Sequence, residues 1–240
     1  MKFAADFRRI ARDALVGKWT TAVIAGLIAS LLGGIDIEGL GFNVHIENSD
    51  VSSFRELVTA LTGGRTLILS QTALGLSAVA LICALTAGIA LFLLGGIIRV
   101  GYGKFNLDLV DGQESGINTL FSYFSHWKSL AAARLLETAY ILLGFLLLIV
   151  PGIIVTYSFA MTDYILAEHP EMSADEALTR SNEMMRGNRW RLFCLQFSFI
   201  GWQILSSLTF GIGNLWLTPY MQTATAAFYR EISGTEPVEF

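Results

Sequence analysis

Between Arg65 and Arg99 lie 33 consecutive residues without a charged side chain. As a helix rising ~1.5 Å per residue, that run would be about 50 Å long, well beyond a ~30 Å hydrocarbon core. A buried helix of a soluble domain rarely needs half that length, so the run constrains the chain to a membrane setting. Composition agrees. Of the 240 residues, 53% are hydrophobic and 15% charged, against roughly 25% charged in soluble domains. Mean hydropathy is +0.56.

Several function classes find no support. Cys83 and Cys194 both sit inside apolar runs, so no disulfide framework or zinc spacing exists. His45, His126 and His169 are far apart and lack ligand spacing. No nucleophile–base pair or phosphate-binding glycine loop is present; Gly101, Tyr102 and Gly103 lack the strand and helix of a dinucleotide site. Basic residues follow the membrane edges rather than a free domain, which argues against nucleic acid. The expectation is therefore no catalytic residue, no metal and no cofactor. The start of the chain lacks a signal-peptide layout, with basic residues up to Lys18 and no small-residue cleavage site after the apolar run.

Patterning predicts an all-α membrane protein, a six-transmembrane-helix bundle with interfacial amphipathic helices, forming one membrane domain over 1–240. Residues 1–18 form an interfacial amphipathic helix, with Phe3, Phe7, Ile10 and Ala14 on one face and Lys2, Arg8, Arg9 and Arg12 on the other. The spans fall at 19–34, 67–100, 129–149, 152–168, 191–210 and 214–230. Residues 35–66 form an outer acidic segment, with a brief strand-like alternation at Phe42, Val44 and Ile46. A capping box at Ser53-x-x-Glu56 opens a short helix there. Residues 101–128 form a cytoplasmic segment. A cytoplasmic helix lies within 171–190, started by the capping box Ser173-x-x-Glu176 and stopped at Gly187. The tail is 231–240. Small residues at every fourth position (Ala22, Gly26, Ser30, Gly34, and again Ala80, Ala84, Gly88) mark helix-packing stripes. With the N-terminus inside, 14 Lys and Arg lie on the inner side and 2 outside, so both termini are expected to be cytoplasmic. Trp19, Arg99, Trp127, Arg189 and Trp190 read as interfacial anchors.

The hairpin of spans three and four carries the candidate site. Pro151 and Gly152 are expected to form its turn, since proline fixes φ and glycine permits φ > 0. Glu137 and Asp163 flank Val150 at equal separations, so an antiparallel pair would set them at similar depth with Arg134 one helical turn away. Intramembrane charges are functional candidates by default. The plainer alternative, an ordinary Arg134–Glu137 pair at i, i+3 close to the cytoplasmic edge, stays beside it. A faint parallel repeat also shows: a helix, then Gly17 and Trp19, then two spans ending at Gly112, is matched by a helix, then Gly187 and Trp190, then two spans ending at Gly234.

Other stretches carry a family resemblance. They are Ala11-Arg-Asp-Ala-Leu15 with Gly17-x-Trp19, Arg99-Val-Gly-Tyr102, Ile149-Val-Pro-Gly-Ile153 and Tyr164-Ile-Leu-Ala-Glu-His-Pro170. They continue through Ser173-x-x-Glu176, Met185-Arg-Gly187, Trp190-Arg-Leu-Phe193, Phe199-Ile-Gly-Trp202 and Pro219-Tyr220. Nearly end to end, the chain resembles the DUF975 family of bacterial integral membrane proteins. The Pro-Gly-Ile block onward is also similar to a membrane domain found ahead of some glycerophosphodiester phosphodiesterases. The resemblance implies a polytopic protein of the bacterial cytoplasmic (inner) membrane and transfers no catalytic residue.

The expectation is thus a non-catalytic polytopic membrane protein that binds lipid or a partner protein. Its partners would be the bilayer, anionic lipid at the cytoplasmic face, and a protein partner or second copy. The alternative is a small transporter or channel using Arg134, Glu137 and Asp163.

Overall fold

Helix boundaries fall where local chemistry supplies a cap or a break. A computed structural model describes residues 2–34, 66–209 and 211–234, with side chains described except at 66–81 and 84. The acidic segment with its strand-like alternation and Ser53 cap, and most of the tail, lie outside these residues. Among the described residues the chain is all-helical, with no strand. The chain divides into a unit of residues 1–40 and 92–240 and a smaller unit of residues 41–91. In the smaller unit the described backbone is helical from Thr66 onward, and Ile82, Leu85 and Ile89 are exposed.

In the larger unit, α1 (Ala4–Leu15) opens with the Phe3 amide donating to the Asp6 carboxylate at 2.8 Å. It buries Phe7, Ile10, Ala11, Ala14 and Leu15, and leaves Arg9 and Arg12 exposed. Gly17, at φ 77°, turns the chain through the left-handed region that a Cβ disfavours. After it α2 (Trp19–Leu31) leaves at 103° to α1. The helix α3 (Thr66–Val110) has glycines on several faces, and each admits a different neighbour. A Cβ on Gly95 would stand 2.1 Å from the Gly33 carbonyl oxygen, and one on Gly101 2.4 Å from that of Leu120. Gly96 faces Arg134 and Gly103 faces Asp163 in the same way, at longer range. The stripe of α2 packs here too: Gly26 lies against Tyr102 and Gly34 against Ile98.

Two 3-10 turns (Ile117–Phe121 and Phe124–His126) lead into α4 (Trp127–Leu147), which reverses into α5 (Ile149–Phe159). The reversal sits at Leu148, the single extended residue between the two helices, and not at Pro151 and Gly152. Pro151 instead occupies the first turn of α5, where an amide hydrogen has no intrahelical acceptor to lose. Gly152 serves close packing: a Cβ there would meet the Phe145 ring at 2.5 Å. The arms run antiparallel, with Tyr140 against Phe159 at 5.7 Å between ring centroids.

α6 (Thr162–Glu168) follows, then α7 (Ala174–Met184). Ser173 Oγ accepts the Glu176 amide at 3.3 Å at the start of α7, and Gly187 at φ 80° lies beyond its end. α8 (Arg189–Phe197), α9 (Ile200–Leu208) and α10 (Asn214–Ser233) complete the chain.

Six spans are not what the structure contains. Among the described residues three stretches are long and apolar enough to cross a membrane: Leu85–Val110, Ile117–Leu147 and Ile149–Glu168. The bent pair α1 and α2 makes a fourth if taken as one span. The expected fifth span is broken at Ser198, whose hydroxyl bonds back to the Leu195 carbonyl while its own carbonyl accepts from Arg8. The expected sixth, α10, contains Pro219, Gln222, Thr223, Thr225 and Arg230 and is too polar. Its polar side chains are matched inside the bundle: Thr223 Oγ1 donates to Asn106 Oδ1 on α3 at 2.9 Å, both fully buried.

Candidate functional site

The hairpin and α3 together assemble the charges. Glu137 lies mid-way along α4 and Asp163 in the first turn of α6, so the antiparallel arms bring the two carboxylates to one level. Arg99 of α3 reaches both. Its Nε stands 2.5 Å from Asp163 Oδ2 and its terminal nitrogen 3.7 Å from Glu137 Oε1. Arg134 approaches the other Glu137 oxygen at 3.7 Å, while its guanidinium lies 5.2 Å above the Phe92 ring. Arg99 is therefore the bridging cation of the site. Sequence patterning makes it an end-of-span anchor, because the apolar run stops there. The helix continues past Arg99 to Val110.

The three bridged side chains border a cavity of about 190 Å³. Polar side chains line it as well, with Thr156 from α5, Gln196 from α8, and Gln222 and Thr225 from α10. Tyr164, also on the cavity, donates to Gln222 Oε1 at 3.3 Å. Glu137 is 5% exposed, and its carboxylate lies between two guanidinia, Arg99 and Arg134, each at 3.7 Å. A second, wider space of about 340 Å³ lies against Tyr157, Phe193, Phe197, Ile200 and Met221 and shares Gln196 with the first. Tyr157 donates to Gln196 Oε1 at 2.8 Å, so this one hydrogen bond stands at the junction of the two spaces. Among the described residues no group of side chains is arranged to hold a metal ion.

The other expected anchors lie apart from this site. Trp19 packs on Tyr220, with ring centroids 6.4 Å apart. Trp127 is half-exposed beneath the Lys128 ammonium. Arg189 donates to Asn182 at 2.7 Å, and Trp190 is exposed and stacks on Phe193. A second charged cluster joins three helix ends. Buried Arg230 in the last turn of α10 pairs with Asp111 just past α3 and with Glu168 at the end of α6, and Tyr229 donates to Glu168 as well. Sequence reading marks Arg230 only as the end of a span; the signal available was that Asp111, Glu168 and Arg230 each sit within a few residues of a helix-stopping glycine or proline.

Residues 133–236 match DUF975, a protein family of unknown function. The DUF975 match takes in the hairpin from Ala133 onward, both carboxylates, Arg134 and everything from α5 to α10. Arg99 and the motifs near Ala11 and Trp19 lie before it. No curated protein and no solved structure matches the chain.

Proposed function

We propose that the chain is a polytopic membrane protein that binds an amphiphile of the bilayer, with the cavity beside Arg99, Glu137 and Asp163 as the site for its polar end. The observation that carries this reading is the cavity itself. Buried charges at membrane depth are costly unless they are paired or serve a ligand, and here they line a space that polar side chains from three other helices also face. A purely structural ion pair would close on itself and leave no room. In this reading both termini are cytoplasmic, the α1 cations Arg9 and Arg12 meet anionic headgroups, and the protein performs no covalent chemistry. Trp127 and Trp190 sit at the interface.

Transport is the second reading, and the same convergence of Gln196, Gln222 and Thr225 on the charge group favours it. The two are separated by thiol labelling of Thr225→Cys in a Cys83→Ala, Cys194→Ala background. Binding predicts labelling from one side of the membrane only, slowed by added phospholipid. Labelling from both sides would put transport first, and labelling indifferent to lipid would remove the binding reading.

A further inference from the structure

Charge at the first cavity is balanced. Arg99 and Arg134 answer Glu137 and Asp163, through the Arg99–Asp163 pair at 2.5 Å and the two guanidinia 3.7 Å from Glu137. A phosphate, carboxylate or ammonium entering there finds no free counter-charge. It must break one of these pairs or stay unpaired, and either is costly. What the wall still offers is uncharged. Thr156 and Thr225 spend their hydroxyl hydrogens on the Gly152 and Met221 carbonyls of their own helices, at 3.0 and 2.9 Å. Their oxygens are left as acceptors. Gln196 and Gln222 are held the other way round. Each amide oxygen accepts from a tyrosine hydroxyl, Tyr157 at 2.8 Å and Tyr164 at 3.3 Å, and among the described residues neither amide nitrogen has a partner. Amide donors and hydroxyl acceptors therefore remain for an occupant. A hydroxyl group both donates and accepts, so it answers either kind.

Size narrows the choice. A cavity of about 190 Å³ equals the volume of about six water molecules, enough for a small group with two or three hydroxyls. The adjoining space shares Gln196 and is lined by Phe193, Phe197, Ile200 and Met221, so apolar side chains stand next to the polar ones. Resting on the binding reading above, we infer that the site takes an amphiphile whose polar end is uncharged and hydroxyl-rich, of the glyceryl-diol kind. The Gln196 and Gln222 amides donate to its hydroxyl oxygens, and the Thr156 and Thr225 oxygens accept from its hydroxyl hydrogens. The paired charges hold one another and turn away ionic headgroups, because an entering charge is left without a partner.

The test uses the purified full chain in dodecyldimethylamine oxide, a detergent without hydroxyl groups, with bound ligand counted by native mass spectrometry. Four probes share one acyl or alkyl chain length. Monooleoylglycerol carries the free diol, oleoyl lysophosphatidic acid adds a phosphate to it, oleylamine is a cation, and methyl oleate has neither charge nor hydroxyl. Free glycerol is the fifth probe. Monooleoylglycerol should be retained about tenfold more tightly than each of the other three, the size of one or two net hydrogen bonds. Gln196→Leu, at an exposed position that spares the fold, should shrink its lead over methyl oleate. Asp163→Asn, which keeps the shape and leaves one positive charge in excess, should move the preference to the phosphate probe. An unchanged order of probes in the variants would overturn the inference, and Gln196→Leu keeps that test decisive if Asp163→Asn does not fold. Equal retention of the four chains by the unaltered protein, or a lead for either charged probe, would also overturn it while leaving amphiphile binding standing. Retention of none would remove both. Free glycerol competing as well as monooleoylglycerol would make the occupant a free polyol and overturn the amphiphile.

Discussion

At the scale of single residues, two buried tyrosines separate a hydroxyl that holds the structure from one that does not. Tyr229 donates to the Glu168 carboxylate. Tyr102 is 1% exposed, and among the described residues its hydroxyl has no hydrogen-bond partner. A buried hydroxyl left unpaired costs about 1–3 kcal/mol, while a hydrogen bond to a charged group contributes about 1.5–3 kcal/mol. Tyr102→Phe is therefore expected to leave the melting temperature in detergent unchanged or raised, and Tyr229→Phe to lower it. Equal losses for the two would show that the Tyr102 hydroxyl has a partner after all. Neither role is legible in the sequence, where both tyrosines are aromatic positions in apolar runs. The same holds for Arg99. The hairpin symmetry about Val150 places Glu137 and Asp163 together from sequence alone. Their shared cation comes from a distant helix that no local periodicity links to them.

At the scale of elements, Arg230 ties together the ends of α3, α6 and α10. Three helix C-termini carry partial negative charge there in addition to Asp111 and Glu168, so a cation among them is favourable. Its planar fork pairs with Asp111 through two nitrogens and with Glu168 through a third, a geometry that lysine cannot reproduce. Removing one partner of a buried ion pair costs about 3–5 kcal/mol. The lower figure applies here, because the Asp111 and Glu168 side chains are 25% and 26% exposed. Arg230→Met is expected to destabilise by about 3 kcal/mol in denaturant melts, and Arg230→Lys, which keeps the charge but loses the fork, by less. Adding Asp111→Asn and Glu168→Gln to Arg230→Met should restore most of the loss; no recovery would mean that Arg230 acts by packing alone. Elements were legible where a local signal sets them. Ser173 caps α7 because its hydroxyl lies within reach of the Glu176 amide, a matter of three residues. The break at Ser198 was not legible, since the serine bends the helix jointly with Arg8 from the other end of the chain. The Leu148 reversal was hidden by Pro151, which reads as a turn residue but also fits a helix's first turn.

At the scale of the whole molecule, the repeat seen faintly in sequence recurs in the backbone of the larger unit. Gly17 and Gly187 both take φ near 80°, and Gly112 and Gly234 close α3 and α10 at 72° and 84°. The left-handed glycines thus recur at matching points of the two sequence stretches. Arg230 then fixes which ends coincide: Asp111, Glu168 and α10 finish at one end, and the Leu148 reversal lies at the other end of the hairpin. In the proposed orientation, with both termini cytoplasmic, the shared end faces the cytoplasm. α4 has 21 residues, and at ~1.5 Å each it spans about 30 Å, the thickness of the hydrocarbon core. Single cysteines introduced at Gln113, Glu171 and Leu148 in a Cys83→Ala, Cys194→Ala background test this arrangement with a membrane-impermeant reagent. Gln113→Cys and Glu171→Cys are expected to react only from the cytoplasmic side, and Leu148→Cys only from the opposite side. Reaction of all three from the cytoplasm would make the hairpin re-entrant. In that case α4 would not cross, and the charge group would lie in a cytoplasm-facing pit.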